Sequence, residues 1–287
     1  MTGGGSVPEG RTGAARLGLW TLIAGFCAFA ALPFGWSLVT IFKSNTDLYQ
    51  RDSNPFLFNR PPTLEHVRLL LFDTRFATFA LNTVLVGSLV VAITLALSLP
   101  AAYSLARLRP RWGGTMATSI FAVYLVPPSL LFISLSRVVA GLGLQDSRWS
   151  LVVVHPTITI PVSVWLLTGY LRSVPPEIEE QAMTDGCSRL QAFARAVVPL
   201  AVPGIVAVVV FTFTLSAGEF IYALAFVSRT SQKTVSVGVP TELVRGDIFF
   251  WQSLQAATLA VAVPVALVFT RFLDRFVSGF TMGAVKG

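Results

Sequence analysis

Six stretches of this chain are apolar for long enough to cross a bilayer as helices, and nothing else in the sequence limits the fold as strongly. A hydrocarbon core about 30 Å thick needs about 20 apolar helical residues. Residues 17–42, 76–106, 112–135, 150–171, 197–225 and 253–272 each meet that length. Inside lipid every backbone N–H and C=O must be satisfied within the protein, and runs this long do so as helices. Composition agrees: 12 % of the 287 residues are charged, against roughly 25 % in a soluble domain. Mean hydropathy is +0.70. The fold predicted is an all-α membrane protein with six transmembrane helices.

The run from Leu17 to Phe42 holds no charge. It is too long for a signal-peptide core of about 7–15 residues, although Ala28-Phe29-Ala30 imitates a cleavage site. Bulky Phe26 before Cys27 argues against a lipoprotein site, so this run reads as a retained span. Cys27 and Cys187, with His66 and His155, are too few and too scattered for a disulfide framework or a histidine-rich metal centre. The net charge of +7 would suggest nucleic acid in a soluble chain. Here the basic residues lie between apolar runs, where membrane topology accounts for them.

Six spans place both termini on one side. Arg107, Arg109 and Arg111 crowd the shortest loop, and short basic loops stay inside. The reading is a protein of the cell (inner) membrane with cytoplasmic termini. Its expected parts are a disordered cytoplasmic tail 1–16, an extracytoplasmic loop 43–75, the core 76–272 and a cytoplasmic tail 273–287.

The cytoplasmic loop 172–196 carries more structural signals than a connector needs. Pro175-Pro176-Glu177 reads as a helix start, with Glu177, Glu179 and Glu180 near the positive end of the helix dipole. Gly186 is where that helix stops. Ser188 and Gln191 form a capping box for a second helix running to Pro199 and into the fifth span. Two readings stand on physical grounds: a solvated amphipathic connector, or a helix–glycine–helix elbow that projects into the cytoplasm.

Glu180-Gln181-Ala182-Met183-Thr184-Asp185-Gly186, followed by Pro199, resembles the E-A-A–x3–G–x9–I-x-L-P loop of binding-protein-dependent ABC importer permeases. Gln181 replaces the first alanine, Ala196 the usual isoleucine and Val198 the usual leucine. Other segments are similar to the carbohydrate-importer branch, the maltose-permease type. They are Pro33, Trp36, Ser37 and Lys43; Asn82-Thr83; Ala101 to Arg107; Gly143 to Asp146; Glu219 to Leu224; and the ending Gly283 to Gly287. Gly218 stands where asparagine is common. The resemblance implies a type I ABC importer permease fold. It implies that Glu180, Gln181, Ala182, Asp185, Gly186 and Pro199 couple the chain to an ATPase. It further implies a second homologous permease in a heterodimer, two ATP-binding subunits and an extracytoplasmic substrate-binding protein contacting loops 43–75 and 226–252. The cargo would be a sugar or sugar-like solute.

No G-x-x-x-x-G-K-[ST] phosphate cradle occurs in the sequence, and no catalytic constellation is visible. The chain is therefore read as no enzyme, without a cofactor of its own, and ATP and Mg are expected on the partner ATPase. Glu219 is the one acid within the spans, where an ionised carboxylate costs about 2.5–3.5 kcal/mol and must face protein or water. Thr212, Ser216 and Glu219 follow helical spacing and form a polar stripe, either a substrate cavity wall or a packed seam. Tyr222 is a weaker pocket candidate. The alternative function is an ion-coupled secondary transporter using Glu219. His155, beside Pro156, is expected to satisfy its own local hydrogen bonds. Asn82 and Thr83 read as helix caps more readily than as cavity lining.

Overall fold

The computed structural model describes residues 13–50, 52, 54–108 and 111–284, and almost all of its regular structure is helical. Of the tail 1–16 expected to be disordered, residues 13–16 are helical and open the first helix, whereas residues 1–12, like Arg109 of the basic loop, lie outside the described residues. α1 (Gly13–Ile41) is the first span. Its apolar side chains from Leu17 to Phe34 are exposed, so this helix offers its length to lipid or to another chain. Short helices α2 (Asn45–Tyr49) and α3 (Glu65–Arg68), with a π turn at Leu69–Asp73, fold the next loop against the core. α4 (Phe76–Tyr103) and a π turn at Ser104–Leu108 form the second span.

The third run, which Pro127 and Pro128 mark for a kink, folds as two helices instead of one kinked span. It divides into α5 (Gly113–Val123) and α6 (Pro128–Gly141), bent by 85°. Pro127 and Pro128 have no N–H to donate, and proline disfavours the helical conformation in the residue before it. The fourth run is continuous: α7 (Arg148–Val154) and α8 (Pro156–Ser173) join at His155. α9 (Pro176–Thr184), α10 (Arg189–Ala192), a π turn at Phe193–Val197 and α11 (Val198–Leu200) make up the loop between the fourth and fifth runs.

The fifth run also differs from expectation. The second arm of the elbow does not merge straight into it, because the chain bends by 74° before α12 (Val202–Gly218). The helix then ends at Gly218, and Glu219 takes an extended conformation before α13 (Ile221–Phe226). Segment 226–252, read as an extracytoplasmic loop, contains a 3-10 turn at Thr230–Gln232 and the largely buried α14 (Val235–Leu243). Strands β1 (Val244–Arg245) and β2 (Ile248–Phe249) pair around Gly246. α15 (Trp251–Ala284) is the sixth span and continues as helix through most of the expected tail. Among the described residues four helical segments are long enough to cross a membrane, and the two bent pairs bring the candidates to six.

Among the described residues four packed groups hold these elements, the smallest made of Leu105, Ala117 and Val164. Val86, Val90, Leu151, Val154, Tyr222 and Phe226 join α4, α7 and α13 at one end. Ala102, Leu167, Leu171, Val197, Ala201 and Val208 join α4, α8 and α12 at the other. Ile41, Leu70, Phe79, Leu243 and Ala257 bind segments 43–75 and 226–252 to α4 and α15. Small residues permit the close approach that membrane packing requires. Gly238 of α14 lies against the Phe79 ring, where a Cβ would stand 2.6 Å from ring carbons.

Loop 43–75 contains a buried histidine. His66 is 2 % exposed, and its carbonyl accepts a hydrogen bond from Ser253 Oγ at 3.0 Å. Burial holds its imidazole below the ordinary histidine value, partly offset by Glu65. The fold therefore favours neutral His66, and below the unfolded value the unfolded chain takes up a proton that the fold resists. Thermal unfolding in detergent is expected to show stability falling as pH drops from about 6.5 through the lowered folded value. His66→Gln should flatten that part of the profile, and an unchanged profile in the variant would refute the assignment.

Candidate functional site

The elbow 176–200 is built by local rules. Pro176 occupies the first position of α9, where no N–H is needed, and Glu177 and Glu179 follow in the first turn. At the far end Gly186 has φ +92. Its N–H donates to Met183 O, and that of Cys187 donates to Ala182 O, each at 3.1 Å. This is a Schellman stop, in which the left-handed residue frees the chain to reverse. Ser188 then caps α10: its Oγ accepts from Gln191 N at 3.4 Å and its N–H donates to Gln191 Oε1 at 2.9 Å.

The result is a two-armed projection with distinct faces. Glu180, Gln181, Asp185, Gly186 and Pro199 are exposed and Ala182 is half-buried. Leu190, at 74 % exposure, is a large apolar side chain on the same projection. Glu179, Val174, Ala192 and Val197 are buried on the opposite side. The sequence gives Glu179 a role only at the helix dipole, with nothing to separate it from Glu177 and Glu180. It marks Arg107 only as a topological charge, although Tyr103 and Arg107 share a helical face at i, i+4.

A second polar cluster sits where the fifth span breaks. Glu219 Oε1 accepts from Tyr222 N at 2.9 Å, and Oε2 accepts from Ala223 N at 3.0 Å. The carboxylate thus caps α13 instead of standing on the helical stripe expected for it, because the chain leaves the helix at Gly218. His155 joins the cluster across the helix interface, not locally as expected. Its Nδ1 lies 2.8 Å from Ser216 Oγ, and its Nε2 lies 3.4 Å from Glu219 Oε2. Thr212 and Ser216 face α8, with Thr212 Oγ1 3.5 Å from Ser163 Oγ. Tyr222 is fully buried, and its hydroxyl donates to Pro128 O at 3.0 Å. Of these four predicted residues, Glu219 borders a cavity of about 660 Å³, together with Tyr124, Pro127, Phe211, Thr214 and Leu215.

The opposite end is tied by side chains to backbone. Asn82 does not cap its own helix; its Nδ2 donates to Ser231 O at 3.0 Å and Lys233 O at 2.8 Å. Thr83 Oγ1 accepts from Val235 N at 2.9 Å, serving α14. Asp146 Oδ1 accepts from the backbone of Ser228 and Arg229. The Arg229 N–H, ahead of that of Ser228, holds the Asp146 carboxyl below its usual value. Segment 228–235 is thereby fixed to α4 and to the loop before α7. Among the described residues no group of His, Cys, Asp and Glu is arranged to hold a metal.

Removing the Glu219 carboxylate would orphan two backbone donors of α13, at about 1–3 kcal/mol for each buried donor left unsatisfied. Glu219→Ala is therefore expected to lower the unfolding temperature of the purified protein, and Glu219→Gln to lower it less. Equal melting of wild type and Glu219→Ala would disprove the capping role.

With this geometry in place, comparison with known proteins is informative. Residues 95–281 match the family described as the binding-protein-dependent transport system inner membrane component. The chain is 32 % identical over 277 residues to the inner membrane ABC transporter permease protein YcjP of Escherichia coli, covering 95 % of this chain and 97 % of that one. It is 32 % identical over 256 residues to the sulfoquinovosyl glycerol transport system permease protein SmoH of Agrobacterium fabrum, covering 89 % and 88 %. The trehalose/maltose transport system permease protein MalG of Thermococcus litoralis is 28 % identical over 268 residues, covering 93 % and 94 %. A crystal structure of a bacterial ABC transporter involved in the import of the acidic polysaccharide alginate contains a chain of the same fold. Its TM-score is 0.76 at 18 % identity, over 94 % of this chain and 100 % of that one.

Proposed function

The chain belongs to the family of binding-protein-dependent transport system inner membrane components, and from that premise we propose that it is the permease of an ATP-driven importer of a sugar or sugar-like solute. The observation that carries the coupling part of this reading is the Schellman-stopped, doubly capped elbow 176–200, with its motif residues turned outward. Glu180, Gln181, Ala182, Asp185 and Gly186 form the surface that a cytoplasmic ATPase would seat, and Pro199 lies at the joint with the fifth span. Exposed acids pair with basic groups, and the half-buried Ala182 lets a partner surface come close.

The carbohydrate assignment draws on the names of relatives such as the trehalose/maltose and sulfoquinovosyl glycerol permeases. A second homologous permease would complete the membrane pathway, two ATP-binding subunits carrying ATP and Mg would supply energy, and an extracytoplasmic binding protein would deliver solute to loops 43–75 and 226–252. Glu219 is assigned to the pathway wall through the cavity it borders. Its two oxygens offer about four acceptor sites, so capping α13 leaves capacity for a solute hydroxyl. Thr212, Ser216 and Tyr222 support that wall from behind. An ion-coupled carrier would need Glu219 free to gain and lose a proton, and its commitment to two backbone N–H groups speaks against that use.

Gentle detergent extraction from the native membrane, with mass spectrometry of what co-purifies, tests the assembly. A sister permease and a P-loop ATPase are expected; a chain that comes out alone and transports without ATP would refute the reading. Gly186→Val forces a β-branched residue to φ +92, where left-handed backbone costs L-residues roughly 1–2 kcal/mol. It is expected to abolish uptake while the protein remains in the membrane, and wild-type uptake by the variant would remove the elbow from the mechanism.

A further inference from the structure

The buried face of the elbow carries an acid to which the reading above gives no task. Glu179, in the first turn of α9, is 5 % exposed, whereas Glu177 and Glu180 beside it are exposed. Its carboxylate accepts a hydrogen bond from the Tyr103 hydroxyl and stands 3.4 Å from Arg107 Nε. Both partners belong to the foot of the second span: Tyr103 ends α4, and Arg107 lies in the π turn that follows.

The same two residues touch the rest of the elbow. Arg107 Nη2 donates to Val174 O at 2.7 Å, at the joint between α8 and α9. The Tyr103 ring packs 4.3 Å, centroid to centroid, from that of Phe193 in the elbow's second arm. The foot of span two therefore grips one arm through Glu179, the other through Phe193 and the hinge through Val174. A buried ion pair adds little net stability over apolar packing, but it tolerates few alternative geometries because either charge alone is costly. Its value here is in fixing position.

We propose that Glu179 is a positioning residue for transport, joining the elbow to span two so that the two move as one body. This rests on the importer reading above. Without the joint, a pushed elbow would pivot at Val174–Pro175 and at the bend before α12, reaching the membrane only through its chain ends. With it, the push enters span two directly, and through the shared packing of Ala102, Leu167 and Val208 it enters spans four and five.

The test is the distance between spin labels at Leu108→Cys and Thr184→Cys, with Cys27 and Cys187 changed to serine, in the assembled complex with and without ATP. The unaltered joint is expected to give one narrow distance that ATP leaves unchanged. Glu179→Ala is expected to broaden that distribution and make it shift on ATP binding. Should Glu179→Ala fail to assemble, Tyr103→Phe, which keeps the ring on Phe193, carries the same test. A distance that shifts with ATP in the unaltered joint, or variants that keep its narrow distribution through ATP binding, would overturn the proposal. A purified assembly without an ATP-binding subunit would instead overturn the importer reading, so the two failures are distinguishable.

Discussion

Within a bilayer, every polar group removed from water must be answered by another group of the protein, and this constraint shapes each irregular feature of the chain. The third and fifth spans break, and the freed backbone groups are met by side chains. The Tyr222 hydroxyl reaches Pro128 O at the restart of the third span, and the Glu219 carboxylate caps the restart of the fifth. Between α4 and α8 the Thr94 and Thr159 hydroxyls meet at 2.7 Å, both fully buried. The cavity beside Glu219 exists because the helices break there, so the same proline and glycine positions that cost helix continuity create concave space in the membrane.

The constraint also decides how the elbow end is built. Two prolines, a left-handed glycine and a capping box give the elbow its shape without help from the membrane helices. Its attachment is a separate matter, made by buried contacts to the foot of span two. Shape turns the motif residues outward, and attachment determines where a force applied to them goes. At the other end Asn82, Thr83 and Asp146 fasten segment 228–235 in a comparable way, by side chains that satisfy loop backbone. Span two thus holds the elbow at one end and segment 228–235 at the other.

Much of this was legible in the residues. Runs of apolar side chains declare a helical membrane protein, and Gly186, Ser188 and Gln191 announce the elbow because caps and stops are written in local sequence. The breaks were less legible. Pro127-Pro128 signals a kink, but an 85° bend depends on what α6 packs against. Glu219 has the spacing of a stripe residue, and only the end of the helix at Gly218 turns it into a cap. α14 was hidden because its burial rests on Gly238 meeting Phe79, some 160 residues away in the chain. Glu179 was masked by its neighbours: three acids within four residues look alike until tertiary structure buries one of them.

In the function proposed, the elbow is the place where an ATP-powered subunit engages the chain. The native Cys187 thiol, half-buried beside Gly186, provides a probe at that place. A photoactivatable cross-linker attached there in native membranes, with Cys27 changed to serine, followed by mass spectrometry of the product, asks the question directly. An adduct containing peptides of a P-loop ATPase is expected. Adducts confined to lipid or to proteins without a nucleotide-binding motif would contradict the proposed function.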